Sequence, residues 1–174
     1  MSKILVVVYS YTGTCRRLAE LLCDEQGWPI AEVTDARPRS GALGTWRCLL
    51  DSWLRRQPPI HYTGLPPDDF DAVVLVAPIW AYRLAGPMRT FVASRRGHLP
   101  EVAVAPVMGG SGASNAITEI GHLLGRVPIL SAAFTAREVE DGSCAARLRA
   151  FGDGVRAAQA ADVTRPAIWS PQTA

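Results

Sequence analysis

Three short stretches carry residue types that could do chemistry. The first is SYTGTC, Ser10 to Cys15. It follows the apolar run ILVVVY and precedes RRLAELL, so it stands between a buried-strand signal and a helix signal. Helix N-terminal amides lack intrahelical partners and carry partial positive charge. Ser10, Thr12 and Thr14 add hydroxyl groups, and Gly13 lets backbone come close to a ligand. Together these make a phosphate cradle. Arg16 and Arg17 fall in the first helical turn, where cations oppose the helix dipole unless an anion is bound; the plain alternative is an ordinary N-cap turn with solvent-facing arginines. The second stretch is APIWAYRLAGPMRTFV, Ala77 to Val92, with Trp80 and Tyr82 just past a strand end, where a flat aromatic ligand would stack. The third is MGGSGAS, Met108 to Ser114, whose glycines permit close backbone approach.

These stretches need a scaffold that brings them to one edge. Apolar runs at Ile4–Tyr9, Ala72–Ala77, Val102–Val107 and Ile129–Phe134, with a weaker one at Pro29–Val33, lack period-two alternation. Such runs suit parallel strands covered on both faces. Helical patterns lie between them: Cys15, Leu18, Ala19 and Leu22 on one face, a second helix opened by Pro87, a third over Ala113–Leu124 and a last over Ser143–Ala160, weakened by Gly152 and Gly154. The alternation predicts a three-layer α/β domain with a doubly wound parallel sheet. In such sheets ligands bind outside the carboxyl ends of the strands, where all three stretches fall. A long insertion, Ala36 to Asp71, breaks the rhythm. Leu43, Trp46, Leu50, Trp53 and Leu54 mark an amphipathic helix in it, read as a crossover helix on the sheet or as a basic docking helix. QPPIHYTGLPPDD then reads as a rigid returning loop. Residues 1–161 form the domain and 162–174 a loose tail.

Composition narrows the classes. The chain has 174 residues, nearly half hydrophobic, with a formal charge of +2, too small to imply a nucleic-acid partner. No signal peptide or membrane-length apolar run is read, so the expected setting is cytoplasmic. Cys15, Cys23, Cys48 and Cys144 form no CxxC pair and are expected as free thiols. His61, His98 and His122 lack metal-ligand spacing, and no metal site is expected. GxGxxG does not follow the first strand, and no GxxxxGK occurs. GGSGA is a near miss of the hydrolase elbow GxSxG, but the last histidine, His122, falls in the helix directly after Ser111 and before any downstream Asp.

The three motifs, in this order and at these strand ends, resemble the flavodoxin family. SYTGTC resembles its phosphate loop SxTGNT, APIW followed by GPMRTFV its Pro–aromatic flavin loop and proline-started helix, and GGSG its glycine loop. The resemblance runs from about Ser2 to Ala160 and implies five parallel strands in the order 2-1-3-4-5 with FMN as cofactor. By that resemblance Ser10, Tyr11, Thr12, Gly13, Thr14 and Cys15 hold the phosphate. Pro78, Ile79, Trp80, Ala81 and Tyr82, with Gly109, Gly110 and Ser111, line the isoalloxazine. Cys15 departs from the family's hydroxyl residue. A thiol is a weaker donor than a hydroxyl, and a cysteine at a helix N-terminus can have a lowered pKa; the plainer reading is a small buried helix residue.

Three functions stay open within the resemblance. One is NAD(P)H-dependent reduction of a small acceptor such as a quinone. Another is electron carriage between redox proteins, and the third is a binding module without redox use. Carriers of the family are usually acidic around the flavin, whereas this chain is slightly basic, with Arg83 and Arg89 near the expected site. Carriers also use a peptide beside the flavin that flips, usually at a glycine. Ala81 and Tyr82 are expected to resist positive φ, which favours the reductase. No acid–base residue is assigned, the redox partner stays unnamed, and a homodimer is left open.

Overall fold

The computed structural model describes residues 3–36, 54 and 56–163. Val, Ile and Leu fill the central strands β1 (Ile4–Tyr9) and β4 (Ala72–Trp80), and Val and Ala fill β6 (Glu101–Met108); all three are almost wholly buried. These β-branched runs suit a pleated surface covered on both sides. β1 is flanked by β4 and by β2 (Ile30–Asp35), both parallel to it, and β4 pairs parallel with β6. Beyond β6 lie β7 (Leu130–Ser131) and β8 (Phe134–Thr135), both parallel to β6. Counting parallel positions only, with β7 and β8 as one, the order is 2-1-3-4-5.

Alternation along the strands splits the core in two. Ile4, Val6 and Val8 of β1 with Val74 and Val76 of β4 meet α1 (Thr14–Gln26) and α5 (Ala145–Val163). Leu5, Val7 and Tyr9 with Val73 and Leu75 meet α2 (Gly86–Ser94) and α3 (Ala113–Leu124). This makes three layers around a parallel-dominated sheet.

Several expectations change. Ile60–Thr63, read as returning loop, is an antiparallel edge strand, β3, on the outer side of β2; its Ile, Tyr and Thr are strand formers, and β2 offers an open edge. The single run Ile129–Phe134 is broken. Arg147 Nη2 takes the Ala133 carbonyl at 2.9 Å, which draws that peptide off the ladder, and Ala132 and Ala133 have little strand preference of their own. The expected last helix, Ser143–Ala160, is α5, and a short helix not expected from the sequence, α4 (Ala136–Asp141), precedes it, opened by a Thr135–Glu138 capping box. Gly152 and Gly154 are packing sites more than weak points: a Cβ at Gly152 would meet the Gln26 side chain at 2.5 Å, and one at Gly154 would meet Leu130 at 2.9 Å. α5 takes in residues 162 and 163 of the expected tail; the rest of the tail, Cys48 and the helix expected around Leu43, Trp46, Leu50 and Trp53 lie outside the described residues. Cys15, Cys23 and Cys144 are free thiols.

Candidate functional site

Ser10 to Cys15 lies at the carboxyl end of β1, as a turn into α1. Gly13 is the helix N-cap with φ +96°, a left-handed conformation that a side chain would strain. Its amide donates to Ser10 Oγ at 3.1 Å, and its carbonyl accepts from Arg17 N at 2.9 Å. Ser10 therefore fixes the turn from within, while its own hydroxyl proton stays available. The amides of Thr14, Cys15 and Arg16 head α1 without intrahelical acceptors. The Thr12 and Thr14 hydroxyls sit 3.4 Å apart at the exposed rim. A Cβ built on Gly13 would meet nothing within 4 Å. Unpaired amides, hydroxyls and open space in front of them fit a phosphate group.

Two side chains in this turn do other work. The Cys15 thiol is buried in the core with Leu18 and Leu22, and burial pushes its pKa up to about 12. It is neither an activated thiol nor a donor to the loop; only its amide faces that way. Arg16 is paired with Glu32 of β2, so its place in the first helical turn needs no bound anion.

At the end of β4 the structure differs from expectation. Pro78, Ile79 and Trp80 are strand residues, not loop, and β4 continues into a hairpin with β5 (Arg83–Leu84). Ile79 is buried in the core of the α2/α3 face, so its side chain does not line the crevice. Trp80 is half-buried. Its ring meets Tyr9 edge-on at 5.9 Å and Tyr11 at 5.7 Å. That aromatic contact joins the first turn to the end of β4. Tyr9 in turn donates to Asp35 Oδ2 at the end of β2, at 2.8 Å.

Ala81 and Tyr82 form the two-residue turn of the hairpin, with φ +48° and +62°. This reverses the expectation that these residues resist positive φ. Two positive φ values in a two-residue hairpin are the type I′ pattern, which matches the strand twist and normally recruits Asn and Gly. Here the strain is held from outside. Gly112, itself at φ +103°, lies so close that a Cβ on it would fall 2.8 Å from the Tyr82 Cα and 3.2 Å from Ile79. Flipping the Ala81–Tyr82 peptide would convert the turn to type II′, whose first central position favours glycine. Ala81 opposes that flip, so the peptide is held in one orientation.

Gly109, Gly110 and Ser111 follow β6 and are exposed. A Cβ on Gly109 or Gly110 would meet nothing within 4 Å. A cavity of about 1090 Å³ lies on the other flank of the hairpin turn, lined by Gln57, Tyr82, Arg83, Asn115, Thr118 and His122 among others. Of the residues expected at the site only Ala81 and Tyr82 line it.

Arg89 proves not to be a site charge. It is buried and bonded to Glu119 and to the carbonyls of Arg56 and Leu84. Its spacing beside Met88 and Val92 on the buried face of α2 was the available sign. Gly112 and the Tyr9–Asp35 bond were also missed; Gly112 stood within MGGSGAS, while the Tyr9–Asp35 bond spans two strands and left no local sign.

No family model matches the chain, and no curated protein does. Solved structures do match. A flavoprotein of Lactobacillus acidophilus in complex with FMN is 21% identical, covers 82% of this chain and 99% of its own, and superposes with a TM-score of 0.67. A protein of Bacteroides eggerthii described as a flavoprotein is 22% identical, with 82% and 96% covered and a TM-score of 0.67. A Streptococcus pneumoniae flavodoxin is 13% identical, with 90% and 99% covered and a TM-score of 0.55. The likeness is one of fold: the chain has the flavodoxin-like α/β architecture.

Proposed function

We propose that this chain is an FMN-binding redox protein. The carrying observation is the Tyr11–Trp80 contact, which puts the phosphate-type turn of β1 beside the aromatic end of β4. A Cβ on Gly13, Gly109 or Gly110 would meet nothing within 4 Å among the described residues. In this reading the amides of Thr14, Cys15 and Arg16, with the hydroxyls of Ser10, Thr12 and Thr14, hold the phosphate. Each charge-assisted bond contributes about 1.5–3 kcal/mol. Trp80, the Ala81–Tyr82 backbone and the Gly109–Ser111 loop border the ring. The flavin supplies the electron-transfer chemistry, and the protein supplies position and electrostatics.

The finer reading is NAD(P)H-dependent reduction of a small acceptor such as a quinone. The large cavity against the hairpin turn supports it, as does Arg83, which lines that cavity and has no ion pair among the described residues. The held Ala81–Tyr82 peptide supports it too, since a carrier of this type benefits from a peptide that can change orientation. Electron carriage between proteins is the second reading, favoured by Tyr82, 62% exposed at the turn where a protein partner could touch it.

The test is titration of flavin-free protein with FMN and riboflavin, followed by anaerobic titration with NADPH and then dithionite. Micromolar or tighter FMN binding, much weaker riboflavin binding and reduction by NADPH in one two-electron step are expected. Failure to bind FMN at micromolar levels overturns the cofactor. A distinct species accumulating near one electron equivalent, with no reduction by NADPH, transfers the case to the carrier.

A further inference from the structure

β5 is only two residues long, and among the described residues its outer edge has no neighbouring strand. In the hairpin Trp80 and Arg83 close the turn, and Ala85 N donates back to Pro78 O at 3.2 Å. Leu84 lies between these bonded positions, so the antiparallel ladder turns its N–H and C=O away from β4. Buried backbone groups of that kind need partners. They are met by two side chains. Leu84 N–H donates to Glu119 Oε2 at 3.4 Å, and Arg89 Nη2 donates to Leu84 O at 2.9 Å. Arg89 Nε closes the ring on Glu119 Oε1, and Nη1 reaches Arg56 O at 3.1 Å. The side chains are 2% and 12% exposed.

An acid and a base thus stand where a third strand would. A hydrophobic pair of similar volume could fill the same space, and such replacements of buried ion pairs are often neutral. It could not bond both backbone groups of Leu84. The ion pair can: the arginine fork donates in fixed directions to Leu84 O, Glu119 and Arg56 O, and the Glu119 carboxylate accepts from Leu84 N–H.

We propose that Arg89 and Glu119 are positioning residues that clamp β5, and through it fix the Ala81–Tyr82 backbone against the flavin, so that the clamp biases the flavin's redox equilibrium. This rests on the FMN reading above. The chain of contact is short: the clamp holds Leu84, Leu84 lies across from Ile79, and the turn at Ala81–Tyr82 is all that separates the two arms. Gly112 pins the turn at its tip, and the clamp holds it at its base.

The experiment uses Glu119→Gln and Arg89→Lys in the full chain. Glutamine has nearly the shape of glutamate but one carbonyl oxygen, whereas Arg89 Nε and Leu84 N–H approach two different oxygens. One bond must be lost. Lysine keeps the charge and loses the fork. Dissociation constants for oxidised and reduced FMN are measured in each variant. A merely structural loss weakens both alike and leaves their ratio in place; a repositioned turn does not. The expected result is about a tenfold change in that ratio, about 30 mV for a two-electron couple, with faster amide exchange at Leu84 and Ala85 in the flavin-free variants. A ratio within twofold of the parent, in a variant that folds and binds FMN, overturns the proposal. If the parent itself binds no FMN, the cofactor reading falls and the redox half of this proposal with it. Leu84 exchange then decides the clamp alone, and unchanged exchange in Glu119→Gln overturns it. Should Glu119→Gln not fold, Arg89→Lys is read by the same criteria.

Discussion

Two turns sit side by side at the carboxyl edge of the sheet, and they solve the same backbone problem in opposite ways. The Ser10–Cys15 turn needs one left-handed residue and places glycine there, with Ser10 securing it from three residues away. Its support is local. The Trp80–Arg83 turn needs two left-handed residues and places alanine and tyrosine there. Its support comes from afar: Gly112 thirty residues on, and Arg89 and Glu119 on two different helices. A non-glycine residue in this region costs about 1–2 kcal/mol, and persists only where the surroundings over-determine it. The first turn therefore carries its support within its own helix start, whereas the second depends on groups from α2 and α3.

The sharpest way to break this contrast is a matched pair of substitutions, Gly112→Ala and Gly13→Ala. Both glycines have φ near +100°, so both variants carry similar backbone strain, about 1–2 kcal/mol. They differ in what the new methyl meets. At Gly13 it meets open space; at Gly112 it meets the Tyr82 Cα at 2.8 Å, which is backbone and cannot swing aside. Overpacking of this kind adds about 1–3 kcal/mol. Denaturant unfolding should show Gly112→Ala less stable than parent by ~3 kcal/mol or more, and Gly13→Ala by only ~1 kcal/mol. Equal losses would mean that the hairpin tip yields freely and is not held by the glycine loop.

Legibility in the sequence follows the same division. The strands β1, β4 and β6 announce themselves because nearly continuous Val, Ile, Leu and Ala mean the same thing in any buried parallel sheet. SYTGTC was readable because glycine, hydroxyls and a following helix are local chemistry. The hairpin at Trp80 was not, since Ala-Tyr is a poor type I′ sequence and the residues that stabilise it lie far along the chain. Arg89 misled for the same reason. An arginine near a site looks like charge offered to a ligand until its partner Glu119, on another helix, is in view. β3 was hidden by the prolines that flank it, Pro58, Pro59, Pro66 and Pro67, which read as loop until the open edge of β2 is known to be there.

Cys15→Thr tests the first turn. Position in the motif alone predicts a gain in FMN affinity, up to about tenfold, from an added hydroxyl donor. The structure reverses it. The thiol is buried among Leu18, Leu22 and the strands, so threonine would bring a hydroxyl into the core. A buried hydroxyl without a good partner costs about 1–3 kcal/mol, lessened here because threonine in a helix can bond back to the preceding turn. A loss of ~1–2 kcal/mol in unfolding free energy is expected, with FMN affinity within twofold. Tightening by tenfold would bring the side chain back to the phosphate and remove it from the core. The native thiol, with a pKa pushed up to about 12 by burial, should also resist alkylation at pH 8 until the protein is unfolded.

The smallest effect belongs to the second turn, and it separates strain from mobility. In the double variant Ala81→Asn/Tyr82→Gly the turn takes the residues that type I′ prefers. Relief of left-handed strain is worth about 1–2 kcal/mol at Tyr82→Gly and little at Ala81→Asn, where asparagine still has a Cβ. It is offset by the extra freedom that glycine gives the unfolded chain, about 0.4–1 kcal/mol, and by the lost Tyr82 side chain, which is largely exposed in any case. A net gain of ~1 kcal/mol in unfolding free energy is expected. The single variant Ala81→Gly should gain less, for a different reason. Glycine at the first central position makes type II′ accessible, so the Ala81–Tyr82 peptide is released to flip. Stability alone will barely distinguish the parent from Ala81→Gly, but relaxation dispersion at the Tyr82 amide will. Exchange on the microsecond-to-millisecond timescale should appear in Ala81→Gly and be absent from both the parent and the double variant. If the parent already shows that exchange, Ala81 does not hold the peptide, and support for the reductase reading over the carrier is reduced to the cavity beside the turn and Arg83 in its lining.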